Sequence, residues 1–411
     1  MGRTVAVVGA TGAVGQELRR LLVRRGFPYD DVVFVASERS AGRRLPFGDR
    51  EITVRALTEP GVFDGVDLAL FSAGASRSRE YAPQAVAAGA VVVDNSSAWR
   101  MDPDVPLVVT EVNPHAVADV RKGIVANPNC TTMAAMLPLK ALHDAFGLVS
   151  MVATSFQAAG GAGQQGMDEL LAQVPTLLAE PELLYRDGAA AAKLVEHRVH
   201  AATLAFNVVP WLGSHAESGY SDEEMKLRNE SRKILGLPEL TVAPTCVRVP
   251  VMAGHAIQVR ATFVAAVDVD RAIAVLTAFP NLEVVDVPTP LEWAGRDEVA
   301  VGRIRPDLAD PRSLNFFVVG DNLLKGAALT TVQIGELLVD RGVVCRISGR
   351  TGRALRRTAG SPWRSAPRPP RDRRRQGRPA TSTTRARPRT RRCDRRRCRG
   401  TPPATTRRTP P

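Results

Sequence analysis

The stretch TVAVVGATGAVGQELRRLLVRRGF, residues 4–27, decides the fold. It reads as a short apolar strand, a Gly-rich turn and an amphipathic helix. A turn in that setting is where a dinucleotide sits. Glycine lets the backbone approach a pyrophosphate, and the helix N-terminus offers N–H groups and the positive end of a dipole. The spacing in GATGAVG is GxxGxxG rather than GxGxxG, and an ordinary tight strand–helix turn would look the same. The next hundred residues decide between the two. DVVFVAS (31–37), DLALFSAG (67–74) and AVVVDNSS (90–97) are further strands, the last two separated by the helical SREYAPQAVAAG (78–89). GIVANPN (123–129) closes the series as a fifth. Strands alternating with helices call for a parallel, doubly wound α/β sheet of the Rossmann type. At the end of the second strand, SERSAGR offers Ser37, Arg39, Ser40 and Arg43 to a 2′-phosphate. That favours NADP over NAD, with Glu38 weighing the other way.

After Gly147 the texture changes. LVSMVATSFQAAGGAG (148–163), TCVRVPVMAGHAIQVRATFVAAV (245–267) and LNFFVVGDN (314–322) are β-rich, with polar and helical segments between them. This predicts a second, α+β domain on a largely antiparallel sheet. The expected organisation is a nucleotide-binding domain over 1–127, a second domain over 128–321, and a helix at 322–342 that returns to the first through Leu329, Val332, Ile334, Leu337 and Leu338.

The net charge of +13 hides two opposite parts. Residues 343–411 hold 23 Arg, no Lys and two Asp, a net of +21; the rest of the chain holds 32 basic and 40 acidic residues, a net of −8. The Arg/Pro-rich end cannot bury a core and is expected to be disordered. Arg without Lys reads as GC-rich DNA translated in a shifted frame, so no nucleic-acid partner is expected despite the charge. No apolar run reaches the roughly 18 residues of a membrane span. The start has no secretory layout, so the cytoplasm is the expected location. Five cysteines (130, 246, 345, 393, 398) make no disulfide framework in a chain this long, and no metal site is expected.

Chemistry enters with NPNCTT, residues 127–132. A lone cysteine is usually a small buried hydrophobe, and Cys246 reads that way. Cys130, however, stands at the start of the helix TTMAAMLPLKALHDAFG, in which Pro138 predicts a kink. Dipole and unpaired N–H groups there are expected to stabilise a thiolate and bind an oxyanion. A nucleotide site followed by such a thiol suggests reduction of an acyl group through a thioester.

Seven stretches in order, GATGAVGQEL, VVDNSSAWRMD, NPNCTT, SFQAAGGAG, SDEEMKLRNE, RVPVMAGHA and VGDNLLKGAA, together resemble the aspartate-semialdehyde dehydrogenase family from about residue 3 to 342. The resemblance implies a glyceraldehyde-3-phosphate-dehydrogenase-like second domain, through which the chain forms a homodimer or homotetramer. It implies Cys130 as nucleophile, held by Asn129 and Gln157, and His255 as general acid/base. Arg248 would clamp the substrate α-carboxylate and Glu223 face its α-amine, while Arg100 and Lys226 hold the phosphate. For NADP it implies Gly9, Thr11, Gly12, Ala13, Val14, Arg39, Ser40, Gly160, Gly161 and Asn322. Gly160 stands where the family usually has Ser. The implied reaction turns L-aspartyl 4-phosphate into L-aspartate 4-semialdehyde and phosphate, on the route to lysine, diaminopimelate, methionine and threonine. Taken singly, His255, Lys226, Arg248 and Arg100 could each be structural or solvated. Three other readings are a reductase of N-acetylglutamyl phosphate, a nucleic-acid binder using the basic end, and a catalytically dead paralogue. A PGCY-type turn expected at the nucleophile of the first is replaced by PNCTT.

Overall fold

The computed structural model describes residues 3–344. The expectation for the Arg/Pro-rich end lies, past Val344, outside the described residues.

The strands β1 (Thr4–Val8), β2 (Asp31–Ala36), β3 (Arg44–Phe47), β4 (Arg50–Ala56), β5 (Leu68–Phe71), β6 (Val91–Asp94) and β7 (Ile124–Ala126) form one sheet. Its order is β3-β4-β2-β1-β5-β6-β7, parallel except for the β3–β4 edge pair. Helix α1 (Ala13–Arg24) makes the crossover from β1 to β2, and α2 (Ala75–Ala87) the one from β5 to β6. The order reverses at β1, between β2 and β5, which puts the ligand crevice at the carboxyl end of β1. Reading the sequence for long parallel strands passes over the hairpin RLPFGDREITVRA. Its signal was there, in Ile52 and Val54 alternating behind a turn at Gly48, whose φ is +61°.

The second sheet joins β8 (Leu148–Gln157), β9 (Thr241–Arg248), β10 (His255–Phe263), β11 (Leu282–Val284), β12 (Val299–Pro306) and β13 (Ser313–Gly320) in the order β11-β12-β13-β10-β8-β9. The three central pairings are antiparallel and the two outer ones parallel. Helices α3 (Cys130–Phe146), α4 (Gln164–Leu178), α7 (Asp222–Leu235) and α8 (Val269–Ala278), with short turns α5 (Leu183–Arg186), α6 (Gly188–Ala192) and α9 (Pro290–Trp293), surround it. Pro138 lies inside α3, which nevertheless continues to Phe146.

From β13 the chain makes a π-helical turn, Leu324–Ala328, before α10 (Leu329–Asp340). The helix buries Leu329, Val332, Ile334 and Leu338 beside Val5, Val7, Leu18 and Leu21 of the first domain, with Leu337 partly buried. Each such side chain contributes roughly 1.5–3 kcal/mol on burial. A fork of two 2.8 Å hydrogen bonds from Arg25 to Glu336 ties α1 to α10 at the surface.

Candidate active site

A cleft of about 420 Å³ opens where the two sheets meet, lined by residues from both. Its nucleotide end begins at Gly9, whose φ of +91° suits only glycine; a Cβ there would stand 2.2 Å from the Ser72 carbonyl oxygen. Gly15 is equally constrained by closeness, since its Cβ would lie 2.1 Å from the Gly9 oxygen. Gly12 caps α1 with no side chain, so the first-turn N–H groups remain available to an anion. Val14 lines the cleft; Thr11, Gly12 and Ala13 form the rest of the turn. Arg39 is exposed on the single turn Glu38–Ser40 after β2, with Ser40 buried behind it. The carboxylate of Glu38 accepts a 2.7 Å hydrogen bond from Thr58 Oγ1.

At the chemical end, Cys130 is the first residue of α3 and its Sγ lies 3.2 Å from His255 Nε2. The thiolate expectation needs correcting. Asn129 is the N-cap, and its Oδ1 already accepts from the N–H groups of Thr131 (2.9 Å) and Thr132 (3.3 Å), so those donors are not open to an oxyanion. Burial, and next the charge of Glu223, push the Cys130 thiol up to about 11, against the pull of Arg100, Arg248 and the Thr131 N–H. Burial, then Arg248, push His255 down to about 3. Both shifts favour a neutral thiol beside a neutral imidazole. Ala158 N–H donates to His255 Nδ1 at 3.1 Å, and the Gly254 carbonyl offers the ring a backbone acceptor. The Ala158 bond fits the neutral tautomer that carries its proton on Nε2; taking the thiol proton at Nε2 requires the tautomer protonated on Nδ1.

Neither Asn129 nor Gln157 touches the sulfur through a hydrogen bond. Gln157 Nε2 donates to Ser155 Oγ (3.2 Å) and Glu223 Oε1 (3.3 Å). Asn129 Nδ2 donates to Glu223 Oε1 at 2.8 Å. The ammonium of Lys226 bridges Asp222 and Glu223 at 2.9 and 3.1 Å. Burial raises the Glu223 carboxyl, but Lys226, Asn129 and Arg100 outweigh it and hold it below the usual carboxylate range. Arg100 lines the cleft with its guanidinium held by the Asn127 and Asn95 carbonyls and by Glu230. Arg248 reaches the cleft with one hydrogen bond, to the Ala158 carbonyl at 2.6 Å, and has no ion-pair partner among the described residues. A cation lowered by burial and left without a counter-ion suits an incoming carboxylate.

Gly160 and Gly161 are dictated by packing. A Cβ at Gly160 would approach the Met252 carbonyl oxygen to 2.7 Å, so this turn is tight enough to favour glycine. One at Gly161 would meet Arg248 Nη1 at 2.7 Å and the His255 ring at 3.2 Å. Asn322 Oδ1 accepts from Gly254 N–H at 2.8 Å and fixes the loop that leads into His255. Sequence reasoning passed over Asn95, Ser96, Ser97, Leu212, Gly213 and Gly326, which also line the cleft, and Glu230 behind it. The stretches DNSS, NLLKG and MKLRNE carry five of these residues, with nothing local to mark them. Cys246 is buried, and His143 is half-buried, its Nδ1 accepting from Leu148 N–H at 3.1 Å. No helix of the described residues is long and apolar enough to cross a membrane.

Comparison with known proteins agrees with this layout. Residues 4–120 match the family described as semialdehyde dehydrogenase, NAD binding domain, and residues 139–325 match semialdehyde dehydrogenase, dimerisation domain. The aspartate-semialdehyde dehydrogenase of Corynebacterium glutamicum is 53% identical over 343 residues, 82% of this chain and 99% of that protein. The structure of aspartate semialdehyde dehydrogenase II from Vibrio cholerae, complexed with ASA, superposes with a TM-score of 0.78 at 40% identity over 83% of this chain and 99% of that one. The Candida albicans enzyme with NADP gives 0.63 at 25% identity, over 84% of this chain and all of that one. A doubly wound nucleotide domain, a thiol–imidazole pair at the domain junction and relatives matched over nearly their whole length place this chain in the aspartate-semialdehyde dehydrogenase family.

Proposed function

We propose that the protein reduces L-aspartyl 4-phosphate to L-aspartate 4-semialdehyde with NADPH, releasing phosphate, in amino-acid biosynthesis. The observation that carries this is Cys130, backed at 3.2 Å by the buried His255, in one cleft with Arg100, Lys226 and Arg248, which has no ion-pair partner among the described residues. His255 takes the thiol proton as sulfur attacks the acyl carbon. The acyl–oxygen bond to phosphate breaks, and phosphate leaves on Arg100 and Lys226. A thioester on Cys130 remains, its amine toward Glu223 and its carboxylate on Arg248. Bound NADPH supplies the hydride that reduces the thioester. The carbon–sulfur bond then breaks, and His255 returns its proton to sulfur. The α1 turn would hold the pyrophosphate and Arg39 with Ser40 the 2′-phosphate, which supports NADP over NAD; Thr58 engages one oxygen of Glu38, the carboxylate that would bind a ribose hydroxyl. The match of residues 139–325 to a dimerisation domain supports a homodimer or homotetramer through the second domain.

The test is the reverse reaction: NADP reduction by aspartate semialdehyde, with and without inorganic phosphate. Phosphate-dependent NADPH formation is expected, and turnover indifferent to phosphate would overturn the reading. Arg39→Ala should weaken NADPH roughly ten- to a hundredfold more than NADH, the usual loss for a charge-assisted hydrogen bond. Equal losses would show that Arg39 does not meet the 2′-phosphate. Arg248→Lys should raise the KM for the semialdehyde roughly tenfold, because an ammonium cannot grip a carboxylate with two parallel donors. A rise in phosphate KM instead would mean that the two anion sites are exchanged.

A further inference from the structure

Helix α7 carries Glu223 and Glu230, seven residues and about two turns apart, so both face the same side. Both carboxylates meet Asn129. Glu223 Oε1 accepts from its side-chain Nδ2 at 2.8 Å, and Glu230 Oε2 accepts from its backbone N–H at 2.7 Å. The other oxygen of Glu230 accepts from Arg100 Nη1 at 3.1 Å. Glu230 is 1% exposed and does not line the cleft, so it does not reach a ligand. Arg100 has five N–H donors. One goes to the Asn127 carbonyl (2.8 Å), one to the Asn95 carbonyl (2.9 Å) and one to Glu230, which leaves two for an anion in the cleft.

We propose that Glu230 is a positioning residue for the phosphate step. With one oxygen it orients the guanidinium of Arg100, and with the other it holds the backbone that enters Cys130. This rests on the proposed reductase function and names the group behind its phosphate site. Two effects of removing the carboxylate oppose each other. Loss of a nearby negative charge would strengthen the pull of Arg100 on phosphate. Loss of the anchor would let Arg100 turn toward Glu223, whose charge it also feels. Orientation governs, because the two free donors form a usable fork only while the other three are fixed.

The experiment is steady-state kinetics of the full-chain enzyme in the phosphate-dependent oxidation of aspartate semialdehyde, comparing wild type with Glu230→Gln and Glu230→Asp. Glutamine keeps the shape, but one end becomes a donor facing either Arg100 Nη1 or Asn129 N–H. Aspartate keeps the charge and shortens the reach. Both should raise the phosphate KM roughly tenfold, a size typical of a lost charged hydrogen bond, with the NADP KM unchanged within about twofold. A lower phosphate KM in Glu230→Gln would mean that charge, not orientation, governs, and would overturn the proposal. An unchanged phosphate KM with a lowered melting temperature would overturn it as well, as would both variants failing to fold, since each makes Glu230 merely structural. If wild type itself shows no phosphate dependence, the functional reading has failed, and this inference with it.

Discussion

Replacing Cys130 by serine is expected to lower turnover by at least about a thousandfold while leaving NADPH affinity within about twofold. The nucleophile needs its proton removed at the moment of attack. A thiol pushed up to about 11 is still within reach of a neutral imidazole 3.2 Å away, because the sulfur anion forms as the bond to carbon forms. A serine hydroxyl is far less acidic, and an imidazole held down to about 3 is too weak a base to compensate. Serine keeps nearly the size of cysteine, and the proposed cofactor turn before α1 belongs to a different part of the chain, so NADPH binding should change little. Initial rates and a fluorescence titration with NADPH check both parts. Retention of more than about a thousandth of the activity would rule out the thioester route.

Gly326→Ala is expected to lower kcat roughly a hundredfold, the cost of displacing a reacting group by about 1 Å. Gly326 sits in the π-helical turn, where its N–H bonds the Asp321 carbonyl at 2.9 Å and Ala328 N–H bonds Leu323 at 3.0 Å, both five residues back. The widened turn brings its Cα against the start of α3. A methyl there would stand 2.8 Å from Cys130 Cβ and 3.2 Å from its Cα. Neither side can yield freely. The preceding residue, Lys325, is 1% exposed and bound to Glu111 and Gln333, while Cys130 is fixed by the Asn129 cap. The strain should also destabilise the fold by about 1–3 kcal/mol. Kinetics beside a thermal melt check this; a kcat within about threefold of wild type would show that the turn gives way without moving the sulfur.

The alternation of strand and helix was legible because each element is announced by its own residues, as in TVAVVGATGAVG. The place of Cys130 at a helix start was legible for the same reason. The state of its thiol was not. Local sequence suggests free N–H groups at that helix, whereas the Asn129 side chain occupies them and the burial that raises the thiol comes from chain far away in sequence. Glu230 was hidden for a related reason. It looks like one more acid on a charged helix, and only the fold brings it to Arg100, 130 residues earlier. The β3–β4 hairpin was lost because its short, half-exposed strands read as polar loop.

Helix α10 has a bearing on how the chain is made. The first 127 residues contain every strand of the nucleotide sheet, yet the face that holds Leu68, Val5 and Leu21 is finished by Leu329, Val332 and Leu338. A nascent chain leaves the ribosome with that face bare until α10 emerges. The nucleotide half therefore cannot mature ahead of its neighbour. Although its strands come first in the gene, its core is closed only once α10 has been made.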